Sequence, residues 1–161
     1  MPTRKSLEHL HCSVANTAEL IGDRWAVLIL RDAFLGLRRF DDFQKDLGIA
    51  RNVLADRLTG LVEAGIFSTE LYEDHPPRFE YRLTAKGRDL FEVLVAMWRW
   101  GDKWNPPGDE FMRGLVHLDC GAVTHGVLHC VDCNGELSPR NTRVEPPLPM
   151  AEQRRIRSVS N

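Results

Sequence analysis

The sequence predicts a mainly α-helical fold with a small β-hairpin wing, a winged helix–turn–helix, followed by a small zinc-ribbon-like C-terminal appendage. Three observations support this prediction. Apolar residues recur at helical spacing through residues 14–64, and glycines separate the runs. Apolar and polar residues alternate on both sides of Pro76-Pro77, as expected of a hairpin. Two pairs of histidine and cysteine residues follow a proline-rich break at residues 105–108.

Short amphipathic helices are predicted before residue 65, and each is followed by a glycine. These glycines are Gly22, Gly36, Gly48 and Gly65. Asp23 is placed to cap the second helix. The third helix is very short, begins at Asp41 or Asp42, and is separated by one turn from the fourth, Arg51 to Ala64. The third and fourth helices therefore predict a helix–turn–helix.

The segment after the fourth helix predicts a wing. One strand alternates through Phe67, Thr69 and Leu71, and the other through Phe79, Tyr81 and Leu83. Pro76-Pro77 are placed at the tip because proline cannot donate a ladder hydrogen bond. Thr84 is expected to cap one long helix that runs to about Trp104. A hairpin in this position can reach the phosphate backbone or minor groove while the preceding helix enters the major groove.

The composition permits a packed domain but gives no overall basic surface. The chain has 161 residues, 43% of them hydrophobic, and a net charge of −2. Residues 1–108 hold 15 Lys and Arg against 16 Asp and Glu, so a nucleic-acid-binding face must be built from local arginines. The sequence has no run of about 18 apolar residues and no secretory signal. A cytoplasmic location is therefore expected, with the four cysteines as thiols or metal ligands rather than disulfides.

Residues 12–104 contain a specific set of short motifs. They are Cys12, Gly22-Asp23-Arg24-Trp25, Leu30-Arg31-Asp32, Arg39-Phe40, Leu54, Arg57-Leu58, Glu63-Ala64-Gly65 and Pro77-Arg78 through Thr84. In these motifs the chain resembles the HxlR-type winged helix–turn–helix transcriptional regulators, relatives of the MarR group. The resemblance implies a cytoplasmic homodimer that binds double-stranded DNA and is not an enzyme. Ala50 departs from the Ser or Thr that often caps the recognition helix in this family, so a helix without that cap is expected.

The outer face of the fourth helix is the predicted DNA-reading surface. With its leucines turned inward, the predicted contacts are Arg51, Asn52, Ala55, Asp56, Arg57 and Thr59. Arg39 and the wing residue Arg78 are predicted to contact the DNA backbone, because a guanidinium binds phosphate in a bidentate way. The alternative is that these are ordinary solvated residues and that the arginines pair with nearby carboxylates such as Glu80.

Cys12 precedes the first helix, where the helix dipole would favour a thiolate. In the family that the chain resembles, a cysteine at this position can sense oxidants or electrophiles. The alternative is a small buried side chain at a dimer contact. The large side chains Met97, Trp98, Trp100 and Trp104 predict a partner surface, or a pocket for a small aromatic effector.

Two pairs of side chains with metal-ligand spacing lie near the C-terminus. His117 and Cys120 form one pair, Cys130 and Cys133 form the other, and nine residues separate the two pairs. Four such ligands would make a closed tetrahedral site for a structural Zn²⁺, with His125 and His129 as alternative ligands. The alternative is a small pair of strands without metal.

The predicted organisation has four parts. They are an N-terminal arm at residues 1–11, a winged helix–turn–helix with its dimerisation helix at 12–105, the zinc-ribbon-like extension at 106–145 and a disordered tail at 146–161. The competing interpretation is a winged-helix protein-interaction module that uses the cysteine-rich extension. The net negative charge favours that module, and the family motifs favour DNA binding.

Overall fold

The computed structural model of the protein describes residues 7–108 and 114–143. After a 3₁₀ turn at Glu8–Leu10, the helices are α1 (Ser13–Ile21), α2 (Arg24–Phe34), α3 (Phe40–Leu47), α4 (Arg51–Glu63), α5 (Ala85–Arg88) and α6 (Phe91–Trp104). The strands are β1 (Phe67–Asp74), β2 (Pro77–Leu83), β3 (Leu115–Val116) and β4 (Val123–Thr124). Within these described residues, none of the helices is both long and apolar enough to cross a bilayer. The tail predicted to be disordered, residues 146–161, lies outside the described residues.

The chain divides into two compact units inside α6, between Trp98 and Arg99. The proline-rich boundary predicted at residues 105–108 lies several residues further on. Helical periodicity continues to Trp104, so the local sequence signal marks the end of the helix and not the division between the units.

The core of the N-terminal unit forms where α2, α3 and α4 meet the start of the hairpin. Its fully or nearly fully buried residues are Ile21, Ala26, Ile29, Leu30, Phe43, Ile49, Leu54, Leu58, Leu61, Ile66 and Phe67. Asp23 caps α2, its carboxylate accepting the backbone N–H of Trp25 at 2.9 Å, as predicted. Gly48 ends α3 with φ of 59°, a conformation that favours glycine. Ala50 precedes α4 without a side-chain cap, also as predicted.

The predicted wing is an antiparallel hairpin of β1 and β2, with Phe67 opposite Leu83 and Leu71 opposite Phe79. Two contacts hold it beside the helix–turn–helix. The backbone N–H of Tyr81 donates to the Arg38 carbonyl at 2.7 Å, and Arg39 forms a β-bridge with Glu80. Because both contacts lie just before α3, the wing and the helix–turn–helix keep a fixed relation.

The predicted single helix from Thr84 to Trp104 is wrong, because the structure has α5 and α6 with a break at Asp89 and Leu90. Thr84 caps α5 as predicted, and its hydroxyl also donates to the Gly65 carbonyl at 2.7 Å. Gly87 packs so closely that a Cβ there would lie 2.3 Å from the Ile66 carbonyl oxygen. These contacts dock α5 against the start of the wing, and the chain turns before α6 begins.

The C-terminal unit contains two small hairpins. One pairs β3 with β4, and the other has a bridge between His129 and Glu136. Within residues 99–108 and 114–143, none is buried. Apolar side chains here are exposed instead, namely Val116, Leu118, Val123, Val127, Leu128, Val131 and Leu137. The described part of this unit therefore has no hydrophobic core of its own.

Candidate nucleic-acid interface

The outer face of α4 is exposed where the sequence predicts it. Arg51, Asn52, Ala55, Asp56 and Thr59 are all exposed, whereas the leucines that recur along the opposite face are buried. Burial on one side and exposure on the other make α4 an amphipathic rod with a free polar surface. An exposed helix of this kind can enter a major groove. Contact with bases stays a prediction.

Arg57 differs from the prediction because its guanidinium binds inside the unit. Its Nε donates to Asp23 Oδ1 at 2.9 Å, and a second nitrogen lies 3.3 Å from Asp23 Oδ2. Burial alone would raise the pKa of Asp23, but the hydrogen bonds from Arg57 and from the backbone of Trp25 outweigh it and lower that pKa. Arg57 therefore ties the middle of α4 to the cap of α2, and a contact between Arg57 and DNA stays a prediction.

Arg51 stands at the start of α4 and is 72% exposed. Its guanidinium lies over the Phe40 ring, 4.7 Å from the centroid. One nitrogen is 3.4 Å from the carboxylate of Asp41, which is also exposed. Exposed ion pairs contribute only about 0–1 kcal/mol. A phosphate can therefore replace Asp41 at little energetic cost while the ring keeps Arg51 in place.

Arg39 is held at the junction between the wing and α3. Its Nε lies 3.2 Å from Glu80 Oε1, and its guanidinium stacks over the Tyr72 ring at 4.4 Å. The other oxygen of Glu80 binds Arg82 at 3.2 Å, and Arg82 also pairs with Glu70. Intramolecular pairing with Glu80 was the alternative to DNA contact at the sequence level. Here the pairing orients a guanidinium that is still half exposed.

Arg78 lies on the wing beside its tip. Its Nε is 3.3 Å from Glu73 Oε2, and both side chains are largely exposed. A hydrogen bond with Tyr72, and then the charge of Glu73, raise the pKa of Arg78. The guanidinium is accordingly oriented by its neighbours and accessible to solvent.

Tyr72 is a residue that the sequence analysis missed. Its ring lies under the Arg39 guanidinium, 4.4 Å from ring centroid to Cζ, and its side chain is the first cause of the raised pKa of Arg78. The register of the hairpin shifts between Leu71 and Glu73, so Tyr72 is the extra residue of a β-bulge. Bulges redirect side chains next to functional sites. An aromatic residue that breaks the apolar–polar alternation of a predicted strand is the signal that could have identified it.

A pocket of about 330 Å³ lies between the end of α2, strand β2 and α5. It is lined by Ala33, Phe34, Leu37, Arg38, Tyr81, Arg82, Leu83 and Arg88. None of the residues predicted to surround an aromatic effector on α6 lines this pocket. Effector binding on α6 stays a prediction.

Cys12 occupies the N-cap position of α1 and is half-buried, without a side-chain cap hydrogen bond. Its thiol is free, as are those of the other three cysteines. A sensing role for Cys12 stays a prediction.

The four predicted metal ligands lie in the C-terminal unit as two separate pairs. His117 Nδ1 is 3.3 Å from Cys120 Sγ. The backbone N–H groups of Cys133 and Asp132 and the side chain of Cys133 lower the pKa of Cys130. Within the described ranges, no group of three or more His, Cys, Asp or Glu side chains is arranged to hold a metal ion. The structure thus forms each pair without joining the two, and the metal site stays a prediction.

Comparison with known proteins gives matches over most of the chain. The profile described as HxlR-like helix-turn-helix matches residues 20–109. The uncharacterised HTH-type transcriptional regulator Rv3095 of Mycobacterium tuberculosis is 44% identical over 134 residues, 83% of this chain and 85% of that protein. The crystal structure of PA1607, assigned as a transcription factor, superposes with a TM-score of 0.78 at 42% identity and covers 89% of this chain and 100% of its own. The reduced redox regulator HypR has a TM-score of 0.54 at 31% identity, with 57% of this chain and 92% of its own covered.

Proposed function

This chain belongs to the HxlR-like helix-turn-helix family of transcriptional regulators, and on that basis we propose that it binds an inverted-repeat operator as a homodimer. The observations that support this most directly are the exposed face of α4 and the exposed or half-exposed guanidiniums of Arg39, Arg51 and Arg78. In the proposed complex each subunit inserts α4 into a major groove and lays its wing on the adjacent backbone. The two-fold axis places the half-sites about one helical turn apart.

Base readout is assigned to the exposed residues of the first turns of α4. The amide of Asn52 can pair with adenine, and Asp56 can accept a hydrogen bond from the amino group of cytosine. Arg51 is suited to guanine or to a phosphate. These assignments follow from the position of the residues near the start of the helix, which is the part of a recognition helix that contacts base edges.

Backbone contacts are assigned to Arg39 and Arg78. Each is about half exposed and each already lies beside a carboxylate, Glu80 or Glu73. A DNA phosphate would take part of the position of that carboxylate, so binding exchanges one charge-assisted hydrogen bond for another. This exchange allows a chain with a net charge of −2 to present a local cationic surface.

The salt dependence of operator binding tests this function. Gel shifts on the DNA upstream of the protein's own gene, at several salt concentrations, are expected to show affinity that falls steeply with salt. Arg78→Ala is expected to weaken binding to all sequences and to reduce the slope of log K against log salt by roughly two, because a dimer loses two phosphate contacts. Arg24→Ala, which removes an exposed arginine at the start of α2, is the charge-matched control and should keep the wild-type slope.

The absence of salt-dependent DNA binding would favour the second candidate function, a protein-interaction module. If purified protein binds no DNA, or binds with an affinity that ignores salt, the winged helix serves as a protein-interaction module. The cysteine-rich C-terminal unit would then be its second contact surface. Net negative charge is the observation that favours this second candidate.

The proposed dimer uses α6. This helix has 14 residues, and none of them is buried within the chain. Met97, Trp100 and Trp104 share one face of the helix at i, i+3, i+7 spacing and are 49%, 64% and 65% exposed. A row of large apolar side chains on one helix marks an interaction surface, and a second copy of α6 offers a matching apolar row.

Replacing Trp100 and Trp104 with alanine is expected to convert the dimer to monomer at low micromolar concentration. Tryptophans at an interface commonly contribute about 2 kcal/mol or more each, and a two-fold interface loses every contact twice. Sedimentation equilibrium measures the change, with Leu35→Ala as the control because Leu35 is exposed at the end of α2. A double variant that stays dimeric would place the interface elsewhere.

Oxidation of Cys12 is proposed to regulate operator binding. The thiol is partly accessible and lies at the start of α1, and the chain is similar in structure to the redox regulator HypR. Hydrogen peroxide, or an electrophile that alkylates the thiol, is expected to change the operator Kd by about 5- to 150-fold, the usual range of coupling between two sites. Cys12→Ser should abolish the response, and dithiothreitol should reverse the peroxide effect in the wild type. An unchanged response in Cys12→Ser would exclude this cysteine as the sensor.

A further inference from the structure

The first pair of predicted metal ligands lies at the tip of the β3–β4 hairpin, in a turn that we call the first knuckle (residues 117–122). The backbone N–H of His117 donates to the Ala122 carbonyl at 2.9 Å, and that of Gly121 donates to the His117 carbonyl at 2.8 Å. Gly121 has φ of 71°, which closes the turn. Inside this turn the His117 ring contacts the Cys120 sulfur at 3.3 Å. Both side chains therefore lie on the same side of the tip.

The second knuckle (residues 130–135) repeats this backbone pattern position for position. The backbone N–H of Cys130 donates to the Gly135 carbonyl at 2.9 Å, and that of Asn134 donates to the Cys130 carbonyl at 2.9 Å. Asn134 has φ of 54°, where the first knuckle has glycine.

The structure also selects among the histidines. His129 lies just before the second knuckle, with its Nδ1 2.9 Å from the Asn134 carbonyl oxygen, and that knuckle already supplies two ligands, Cys130 and Cys133. His117 has the position in the first knuckle that Cys130 has in the second, since each is the first ligand of its turn and makes the same backbone bonds. His117 is therefore the fourth ligand that completes a set with three cysteines.

The C-terminal unit also needs a source of stability. In its described residues no side chain is buried, and its cysteines form no disulfide. Segments of this size fold with the help of a metal or a disulfide when they lack a hydrophobic core. The unit is also shared with a relative. The alignment with Rv3095 spans 134 residues of this chain, more than all residues up to the end of the family match at 109, so it continues into the C-terminal unit.

We propose that one Zn²⁺ ion is bound by His117, Cys120, Cys130 and Cys133, and that binding brings the two knuckles together. Three thiolates and one imidazole are soft and borderline ligands that select zinc over magnesium or calcium. Because four protein ligands fill a tetrahedral site, the ion is structural. The seven residues between the knuckles, 123–129, span at most roughly 25 Å, so the linker keeps the two knuckles within reach of each other. Closure is part of the proposal, since the two pairs are separate in the structure.

Metal analysis of the full-length protein tests the proposal. Protein purified under reducing conditions without a polyhistidine tag is expected to contain about one zinc ion per chain. Cys130→Ser and the double variant Cys120→Ser/Cys133→Ser should lose that zinc. Cys12→Ser and His129→Ala are the matched controls, one a cysteine in the other unit and one a histidine already bonded to backbone, and both should keep it.

Hydrogen exchange supplies a second measurement that does not depend on how the variants fold. Removing zinc from the wild type with a chelator should increase exchange in residues 114–143 and leave α2 to α4 unchanged, and returning zinc should restore protection. Protein that contains no zinc and takes up none when zinc is added would overturn the proposal. Zinc that remains after the cysteine substitutions, or a mass deficit of two hydrogens that shows a disulfide, would overturn it as well. None of these outcomes depends on whether the chain binds its operator.

Discussion

Phe43→Ala is expected to lower the free energy of unfolding by about 3–5 kcal/mol, the usual cost of removing a fully buried phenylalanine. Phe43 is 0% exposed, and it is the buried residue of α3. Its ring packs in the cluster that joins α3 to Leu30 of α2 and to Leu54 and Leu58 of α4. The total stability of a domain is about 5–15 kcal/mol. One substitution can therefore remove a large part of the stability that keeps the helix–turn–helix folded.

Urea unfolding, followed by circular dichroism at one fixed protein concentration, measures this loss. The concentration is fixed because a dimer gains apparent stability with concentration. Phe79→Ala is the control, since Phe79 is exposed on the wing, and a surface change should shift stability by about 0.5 kcal/mol or less. Equal losses for Phe43 and Phe79 would contradict the position of the core between α2, α3 and α4.

The helices up to α4 and the hairpin could be predicted because their signals are local. Asp23 as a cap, Gly48 as a helix end and the alternation of apolar and polar residues from Phe67 onward each depend on a few neighbouring residues. The break between α5 and α6 could not be predicted in this way. It depends on the close approach of Gly87 to the Ile66 carbonyl, a contact between residues far apart in sequence, and the sequence across the break continues a helical period.

In the candidate site too, the features set by local sequence could be predicted and those set by residues far apart in sequence could not. Which residues of α4 are exposed follows from its helical period, and the structure agrees for Arg51 and Asn52. The period places Arg57 only on a flank, and its partner Asp23 is 34 residues away. Tyr72 could not be assigned because the bulge that redirects it is set by the pairing of two strands. Whether an arginine of α4 is paired within the unit or exposed to solvent therefore depends on residues far away in the sequence.

The second large effect is expected from Asn52→Ala. Asn52 is the second residue of α4 and is exposed. It therefore lies in the part of a recognition helix that contacts base edges. One such contact contributes about 1–3 kcal/mol of discrimination, and a two-fold symmetric complex loses it twice, so the operator Kd should rise roughly 30-fold or more. Binding to unrelated DNA should be unchanged, because that binding depends on phosphate contacts.

Competition gel shifts with operator and unrelated DNA measure both affinities. Glu63→Ala is the matched control, since Glu63 is exposed at the far end of the same helix.

Arg57→Ala is expected to give the opposite pattern to Asn52→Ala. It should lower the free energy of unfolding by about 1.5–3 kcal/mol, the contribution of hydrogen bonds to a charged group. The folded fraction of this variant should keep its preference for the operator. If Arg57→Ala instead abolished the preference at full stability, and Asn52→Ala did not, the reading face of α4 would be the side that now contacts Asp23. In the proposed complex, α4 would then have to be rotated about its own axis by about half a turn.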